Sequence, residues 1–172
     1  DAGKCLAVER IEVEGVIMKI LVFSDTHGDV TRMERAIRSH SNAEVIIHCG
    51  DGEMDVEYAK RNFPDRAFLN VKGNCDWGSS LDPTLEITLE GKKIFVTHGH
   101  LYNAKMGLQN LIYAGKEKNA DIVLYGHTHI SMNEYIDGMY VMNPGSCHGY
   151  GATYGIIDIS DKGILTNIAS AK

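Results

Sequence analysis

The sequence predicts an α/β domain built from two mixed β-sheets packed as a sandwich with flanking helices. Three features predict it. Short apolar runs rich in β-branched residues, among them Ile20–Phe23, Val45–Cys49 and Ile122–Tyr125, have the length of buried strands. Helical patterns lie between the early runs, which gives the β-α-β alternation of parallel strands. After Ile122–Tyr125 the chain turns into strand pairs joined by short Asp- and Gly-containing turns, which add antiparallel strands.

In chain order, Met18-Lys19-Ile20-Leu21-Val22-Phe23 reads as a natural start that runs straight into the first strand. Residues 1–17 stand apart from it, as vector-derived sequence or an appended strand, and residues 18–172 read as a single domain. Asp29 to Ser39 reads as a helix, with Thr31-Arg32-Met33-Glu34 as a capping box and Val30, Met33 and Ile37 on one face. The Val45–Cys49 strand follows, then a short helix marked by Met54 and Tyr58, then a strand at Ala67–Val71. Leu85–Leu89 and Lys92–Thr97 flank Glu90-Gly91 as a hairpin. Ala104, Leu108, Leu111 and Ile112 outline a third helix. The remainder pairs Met132–Ile136 with Met139–Met142 across Asp137-Gly138, and Thr153–Ile159 with Ile164–Ile168 across Asp161-Lys162-Gly163.

Of the 172 residues, 44% are hydrophobic and 23% charged, the balance of a globular domain with a core of its own. No stretch approaches the roughly 18 apolar residues of a membrane-spanning helix. The opening Asp1-Ala2-Gly3-Lys4-Cys5 has neither the basic start nor the apolar run of a secretory signal, so a cytoplasmic location is expected. Cys5, Cys49, Cys75 and Cys147 form no CxxC pair, which disfavours a zinc ribbon or redox dithiol and suits free thiols. A net charge of −6 argues against broad nucleic-acid or membrane-surface binding, although bound cations reverse the local field at a carboxylate-rich site.

The polar residues fall at the carboxyl ends of the apolar runs, where the ligand crevice of an open α/β sheet lies. Asp25 and His27 follow Ile20–Phe23, Asp51 follows Val45–Cys49, and Asn74 follows Ala67–Val71. His98 follows Lys92–Thr97, and His127 and His129 follow Ile122–Tyr125. The steps from 27 to 51, 51 to 74 and 74 to 98 are 24, 23 and 24 residues, the length of a unit that returns the chain to one sheet edge. In Asp25-x-His27 and His127-x-His129 a spacing of two places both side chains on one face of an extended backbone. Gly28, Gly50, Gly73, Gly99 and Gly126 adjoin these residues and permit tight turns. Imidazoles mixed with carboxylates and one amide, without thiolate, suit Mn, Fe, Zn, Ni or Co rather than Mg or Ca. Seven side chains exceed the needs of one ion, so two ions sharing a carboxylate is the economical arrangement.

Asp25-Thr26-His27, Gly50-Asp51, Gly73-Asn74-Cys75-Asp76, Thr97-His98-Gly99-His100 and Gly126-His127-Thr128-His129 resemble, in this order, the motifs of calcineurin-like metallophosphoesterases. The short length and Asn143-Pro144-Gly145-Ser146 resemble its small bacterial and archaeal phosphodiesterase branch, which is also similar to the retromer subunit Vps29. The resemblance runs from Met18 to the C-terminus. It implies one metal held by Asp25, His27, Asp51 and His129, and a second held by Asp51, Asn74, His98 and His127, with Asp51 as the bridge. It implies two divalent ions, most readily Mn, and hydrolysis of a small phosphate ester by attack of a metal-bridging hydroxide on a phosphodiester. The alternatives are a phosphomonoesterase or small-nucleotide hydrolase, and a non-catalytic Vps29-like scaffold.

Two departures from the family pattern bear on catalysis. Cys75 stands where many members carry a histidine that assists the leaving group, and a neutral thiol donates a proton weakly. His100 is the alternative acid. Cys147-His148-Gly149-Tyr150-Gly151 replaces an expected Pro- and basic-containing loop. Asp76 is expected to orient a ligand or the Cys75 loop. His48 and Cys49 are assigned to core packing, His40 to the surface, and His148 to a solvated loop near the mouth of the site. The motifs leave the oligomeric state open, with exposed strands compatible with a homo-oligomer.

Overall fold

The computed structural model describes Gly15 and residues 17–172. The segment 1–17, apart from Gly15 and Ile17, lies outside the described residues. The elements run β1 (Met18–Phe23), α1 (Val30–Ser39), β2 (Ala43–His48), α2 (Glu53–Asn62), β3 (Ala67–Asn70), β4 (Thr84–Leu89), β5 (Lys92–Thr97), α3 (Gln109–Glu117), β6 (Ile122–Leu124), β7 (Met132–Ile136), β8 (Met139–Asn143), β9 (Thr153–Ser160) and β10 (Gly163–Ser170). A 3-10 turn covers His100–Tyr102.

Two five-stranded sheets result, in the orders β10-β9-β1-β2-β3 and β4-β5-β6-β8-β7. Each contains three parallel strands, β1-β2-β3 and β5-β6-β8. The flanking pairs are antiparallel. The sheets are therefore mixed, as the sequence predicts.

Why the early runs are apolar throughout is visible in β1. Ile20 and Val22 join Val45 and Ile47 of β2 against Ile94, Val96, Ile122 and Leu124 of the other sheet, and form the core between the sheets. Leu21 and Phe23, offset by one residue, emerge on the opposite face and pack on Met33 and Ile37 of α1. On the second sheet Phe95, Val123 and Val141 pack outward on Leu111 and Ala114 of α3. Each fully buried side chain of this kind contributes roughly 1.5–3 kcal/mol. No helix among the described residues is long and apolar enough to cross a membrane.

The turns obey their residues. Glu90 (φ 47°) with Gly91 (φ 73°), and Asp137 (φ 51°) with Gly138 (φ 85°), hold both central positions at positive φ, as a two-residue hairpin turn requires. The last hairpin closes over Asp161-Lys162 alone, because Gly163 already pairs with Ser160.

Several local expectations are corrected. α1 begins at Val30 with Asp29 at its N-cap and no side-chain cap bond, so Thr31 lies inside the helix. Glu34 instead accepts from Asn62 and Arg38, so the capping box does not form. Met54 and Tyr58 lie on the exposed face of α2, while Asp55, Val56 and Ala59 are buried. α3 starts at Gln109, and Ala104 belongs to the preceding turn, its N–H donating to the Gly99 carbonyl.

Candidate metal centre

The parallel strands of both sheets end on one edge of the sandwich, and the turns that follow are tied together. Asp25 N–H donates to the Gly50 carbonyl at 3.0 Å and His27 N–H to the Asp51 carbonyl at 3.2 Å. Across the sheets, His127 N–H donates to Asp25 Oδ2 at 3.0 Å and His98 Nδ1 lies 2.8 Å from the Cys49 carbonyl. The backbone here is not extended. Asp25 (φ 53°), His27 (43°), Asp51 (59°), His127 (69°) and His129 (62°) are all left-handed. The expectation that Asp25-x-His27 and His127-x-His129 converge by strand alternation is therefore corrected, since tight turns aim these side chains. Each left-handed non-glycine residue costs of order 1–3 kcal/mol and persists only where its surroundings enforce it.

Those surroundings are specific hydrogen bonds. Asp76 accepts four backbone N–H groups, from Asp51 (2.8 Å) and Gly73 (2.7 Å) on Oδ2, and from Gly52 (3.0 Å) and Glu53 (3.1 Å) on Oδ1. It thereby fixes the Asp51 turn, the start of α2 and the Gly73 loop together. Cys75 N–H donates to Asp51 Oδ1 at 2.7 Å. Ser24 Oγ–H and His127 N–H both occupy Asp25 Oδ2, which leaves Oδ1 facing the cluster. Asn143, fully buried, donates to the Gly126 carbonyl and Thr128 Oγ1, and Ser146 donates to the Asp25 carbonyl. Gly73 and Gly126 allow the close approach. A Cβ on Gly73 would meet Asp51 Oδ1, and one on Gly126 would meet Ser24 Oγ and Asp25 Oδ2.

Seven predicted ligands surround this point. His129 Nε2 lies 3.1 Å, His27 Nε2 3.7 Å and His98 Nε2 3.8 Å from Asp25 Oδ1. Asp51 Oδ2 is 3.2 Å from His98 Nε2 and 3.9 Å from His27 Nε2. Asn74 Oδ1 is 3.0 Å from His98 Nε2. The His127 ring packs on His98 at a centroid distance of 5.0 Å. Asp25, His27 and His129 form one group with ligand atoms within 4.8 Å of one another, and Asp25, Asp51 and His98 form another. Asn74 adjoins the second group through its Oδ1 on His98 Nε2, and His127 stands beside that group through its ring contact with His98.

The arrangement fits cations. Asp25 Oδ1 is buried and has no hydrogen-bond partner among the described residues, a costly state for a carboxylate unless something positive faces it. His27 Nε2 and His129 Nε2 are 3.3 Å apart, close enough to share one ion at a metal–imidazole distance of about 2.1 Å. The Cys49 carbonyl can accept only a proton on His98 Nδ1, so Nε2 is the nitrogen turned inward toward the carboxylates, where it would face a cation.

Charge shapes the cluster as well. Burial opposes ionisation of Asp51, but hydrogen bonds from His98 and the Cys75 N–H outweigh it and hold the carboxyl well below the usual range. Burial also opposes charging of His98, yet Asp51 and Asp25 raise its pKa. The Cys75 thiol is raised by burial and by Asp51. His100 is lowered by burial and by His98, and His127 likewise.

The two candidate acids both lie near the cluster. Cys75 Sγ groups with His27 and Asp51 within 4.8 Å. The His100 ring is 5.4 Å from that of His98 and 6.1 Å from that of His127, with a buried Nδ1 that has no partner among the described residues. His148 reaches the mouth, its Nδ1 3.1 Å from the Thr26 carbonyl and its ring edge-on to His27. Cys49 packs in the core as expected. His48 is buried for a different reason than packing. It accepts from Gly50 N–H and bonds Thr26 Oγ1, which donates in turn to Asp55 at 2.6 Å. His40 is tied to the Tyr154 hydroxyl at 2.8 Å rather than free on the surface. Sequence reasoning missed Ser24 and Asp55. Their only signal is position, one residue before a ligand and four residues after another.

Residues 18–162 match the profile of the calcineurin-like phosphoesterase superfamily domain. The chain belongs to that superfamily. Among calcineurin-like phosphoesterases, the probable metallophosphoesterase YsnB of Bacillus subtilis is 35% identical over 130 residues, covering 75% of each chain. Phosphodiesterase MJ0936 of Methanocaldococcus jannaschii is 30% identical over 165 residues, covering 84% of this chain and 95% of its own. A predicted phosphoesterase from Streptococcus pneumoniae superimposes with a TM-score of 0.77 at 28% identity, covering 91% of each chain. Vps29 of Entamoeba histolytica, solved with zinc, shares the fold at a TM-score of 0.64 and 20% identity, covering 90% of this chain and all of its own. The superfamily works with divalent metals, and the cluster supplies residues of the right kind to hold them.

Proposed function

We propose that this calcineurin-like phosphoesterase hydrolyses phosphodiesters with two divalent ions held by the clustered carboxylates and imidazoles. One observation carries the reading above the others. The buried Asp25 Oδ1, without a hydrogen-bond partner among the described residues, is ringed by Nε2 of His129, His27 and His98 at 3.1, 3.7 and 3.8 Å. In this reading Asp25, His27, Asp51 and His129 would hold one ion and Asp51, Asn74, His98 and His127 the second, with Asp51 common to both sets. The donor set suits Mn first, with Zn, Fe, Ni or Co as alternatives. Such ions, when bound, acidify water and neutralise charge on phosphoryl oxygens during in-line displacement.

The chain's own groups do the rest. Asp76 and the Cys75 N–H fix Asp51, and Ser24 and His127 N–H fix Asp25, so neither carboxylate reorganises when charge develops. The Asn74 amide nitrogen, 3.4 Å from Cys75 Sγ, retains an N–H for a substrate oxygen. Cys75, raised, and His100, lowered, are both weakly suited to donate a proton near neutrality. Diesters with good leaving groups, such as aryl diesters, therefore suit the site best. Free Cys49, Cys75 and Cys147 accord with a reducing compartment such as the cytoplasm.

The test is hydrolysis of bis(4-nitrophenyl) phosphate and of 4-nitrophenyl phosphate by metal-stripped protein, alone and with Mn, beside Asp51→Asn. Diester cleavage that needs metal and is lost in the variant supports the reading. Faster monoester cleavage makes the protein a monoesterase. Absence of turnover with metal bound turns the proposal toward a Vps29-like scaffold.

A further inference from the structure

Next to the cluster lies a depression of about 460 Å³ that the metal centre does not account for. Its wall is formed by Met54, at the start of α2, and by the loop running from Cys75 through Trp77 to Ser80. Trp77 is 89% exposed and Met54 80% exposed, an unusual display of apolar surface on a loop and the helix start beside it. The depression is continuous with the cluster, because Cys75 belongs to both and its Sγ lies within 4.8 Å of ligand atoms of His27 and Asp51. It is also firmly placed. Asp76 grips the Gly73 turn and the first residues of α2 through four N–H bonds, and Trp77 N–H donates to the Cys75 carbonyl at 3.1 Å.

The lining chemistry selects the occupant. Among the described residues no Lys or Arg lines the depression, and its charged residues are Glu53 and Asp76, the latter already taken up by four backbone N–H groups. A second phosphate is thus disfavoured, whereas a flat neutral ring gains an indole face and a thioether to stack on. Glu53 offers an acceptor for an exocyclic ring amine. We infer that Trp77 and Met54 form a stacking subsite for a nucleobase carried by one ester substituent of the substrate, so that nucleotide diesters are the substrate class. This rests on the phosphodiesterase reading above, and it adds a positioning role for two residues outside the metal centre.

Trp77 is the sole tryptophan of the chain, so its fluorescence reports occupancy directly. In the Mn-loaded full chain, adenosine 5′-monophosphate should quench that emission saturably, while methyl phosphate at the same concentration should not. Turnover is compared for adenosine 5′-(4-nitrophenyl phosphate) and ethyl 4-nitrophenyl phosphate, which share a leaving group. Trp77→Ala should lower kcat/KM about tenfold for the adenosine ester, mostly through KM, and change the ethyl ester by less than twofold. Trp77→Phe should restore most of the loss. Equal losses on both esters would assign the shelf to the nitrophenyl ring and overturn a nucleobase site. Absence of selective quenching, with normal turnover of both esters by Trp77→Ala, also overturns it while leaving the phosphodiesterase reading standing. Selective quenching without turnover of either ester keeps the nucleobase site and removes the phosphodiesterase reading instead.

Discussion

Asp76 illustrates how much of this centre depends on residues that would hold no ion. Four N–H groups from two turns end on its carboxylate. Asp76→Ala leaves them without that acceptor, and urea denaturation should show a loss of roughly 3 kcal/mol. Buried His48 gives a second residue-level prediction, with a defined sign. Burial lowers its pKa from 6.5 to about 4, so the unfolded chain takes up a proton first as pH falls. Stability of the metal-free protein should drop by roughly 3 kcal/mol between pH 6.5 and pH 4, and His48→Gln should flatten that slope. His98 acts in a separate window. Its raised pKa adds stability that is complete below the unfolded pKa of about 6.5 and is lost as pH rises through the folded value. Asp51, with its lowered pKa, adds stability present above the unfolded value of about 3.9 and lost in stronger acid. At this scale the sequence reveals side chains whose chemistry is their type, such as His98 and Asp51. It hides Asp55, because a carboxylate buried in the first turn of a short helix has no periodic signature until Thr26 and Gly28 are seen to need it.

Among the elements, the strands were the most legible. β1 and β2 are apolar on both faces, and only a strand covered by a sheet on one side and a helix on the other needs that pattern. Ile47→Ala, at a fully buried position of β2, should cost about 2–5 kcal/mol in equilibrium unfolding. The helices were less legible at their ends. Met54 and Tyr58 are spaced as an apolar stripe, but α2 packs through Val56 and Ala59, and Met54 borders the Trp77 depression instead. The strand-end turns were legible as places and not as shapes. Five left-handed ligand residues follow from bonds between distant turns, which no local pattern encodes. Gly126→Ala sets a Cβ against Ser24 and Asp25, and should weaken metal binding at least tenfold, measured by competition with a chelator.

At the level of the whole molecule, the cluster exists only where the two sheets meet. Asp25, Asp51 and Asn74 follow strands of one sheet, while His98, His127 and His129 follow strands of the other. The core between the sheets fixes their separation, and the hydrogen bonds of His98 to Cys49 and His127 to Asp25 lock the edge. Metal binding should therefore stabilise the entire sandwich, by about 2.7 kcal/mol at a free concentration of one hundred times Kd for one site. The number of ions held is the most direct test of this account. Equilibrium dialysis of the metal-stripped chain against Mn, followed by elemental analysis, should find two ions per chain and fewer than one in Asp51→Asn. A single ion in the unaltered chain, or two retained in the variant, would contradict the shared carboxylate on which the account is built.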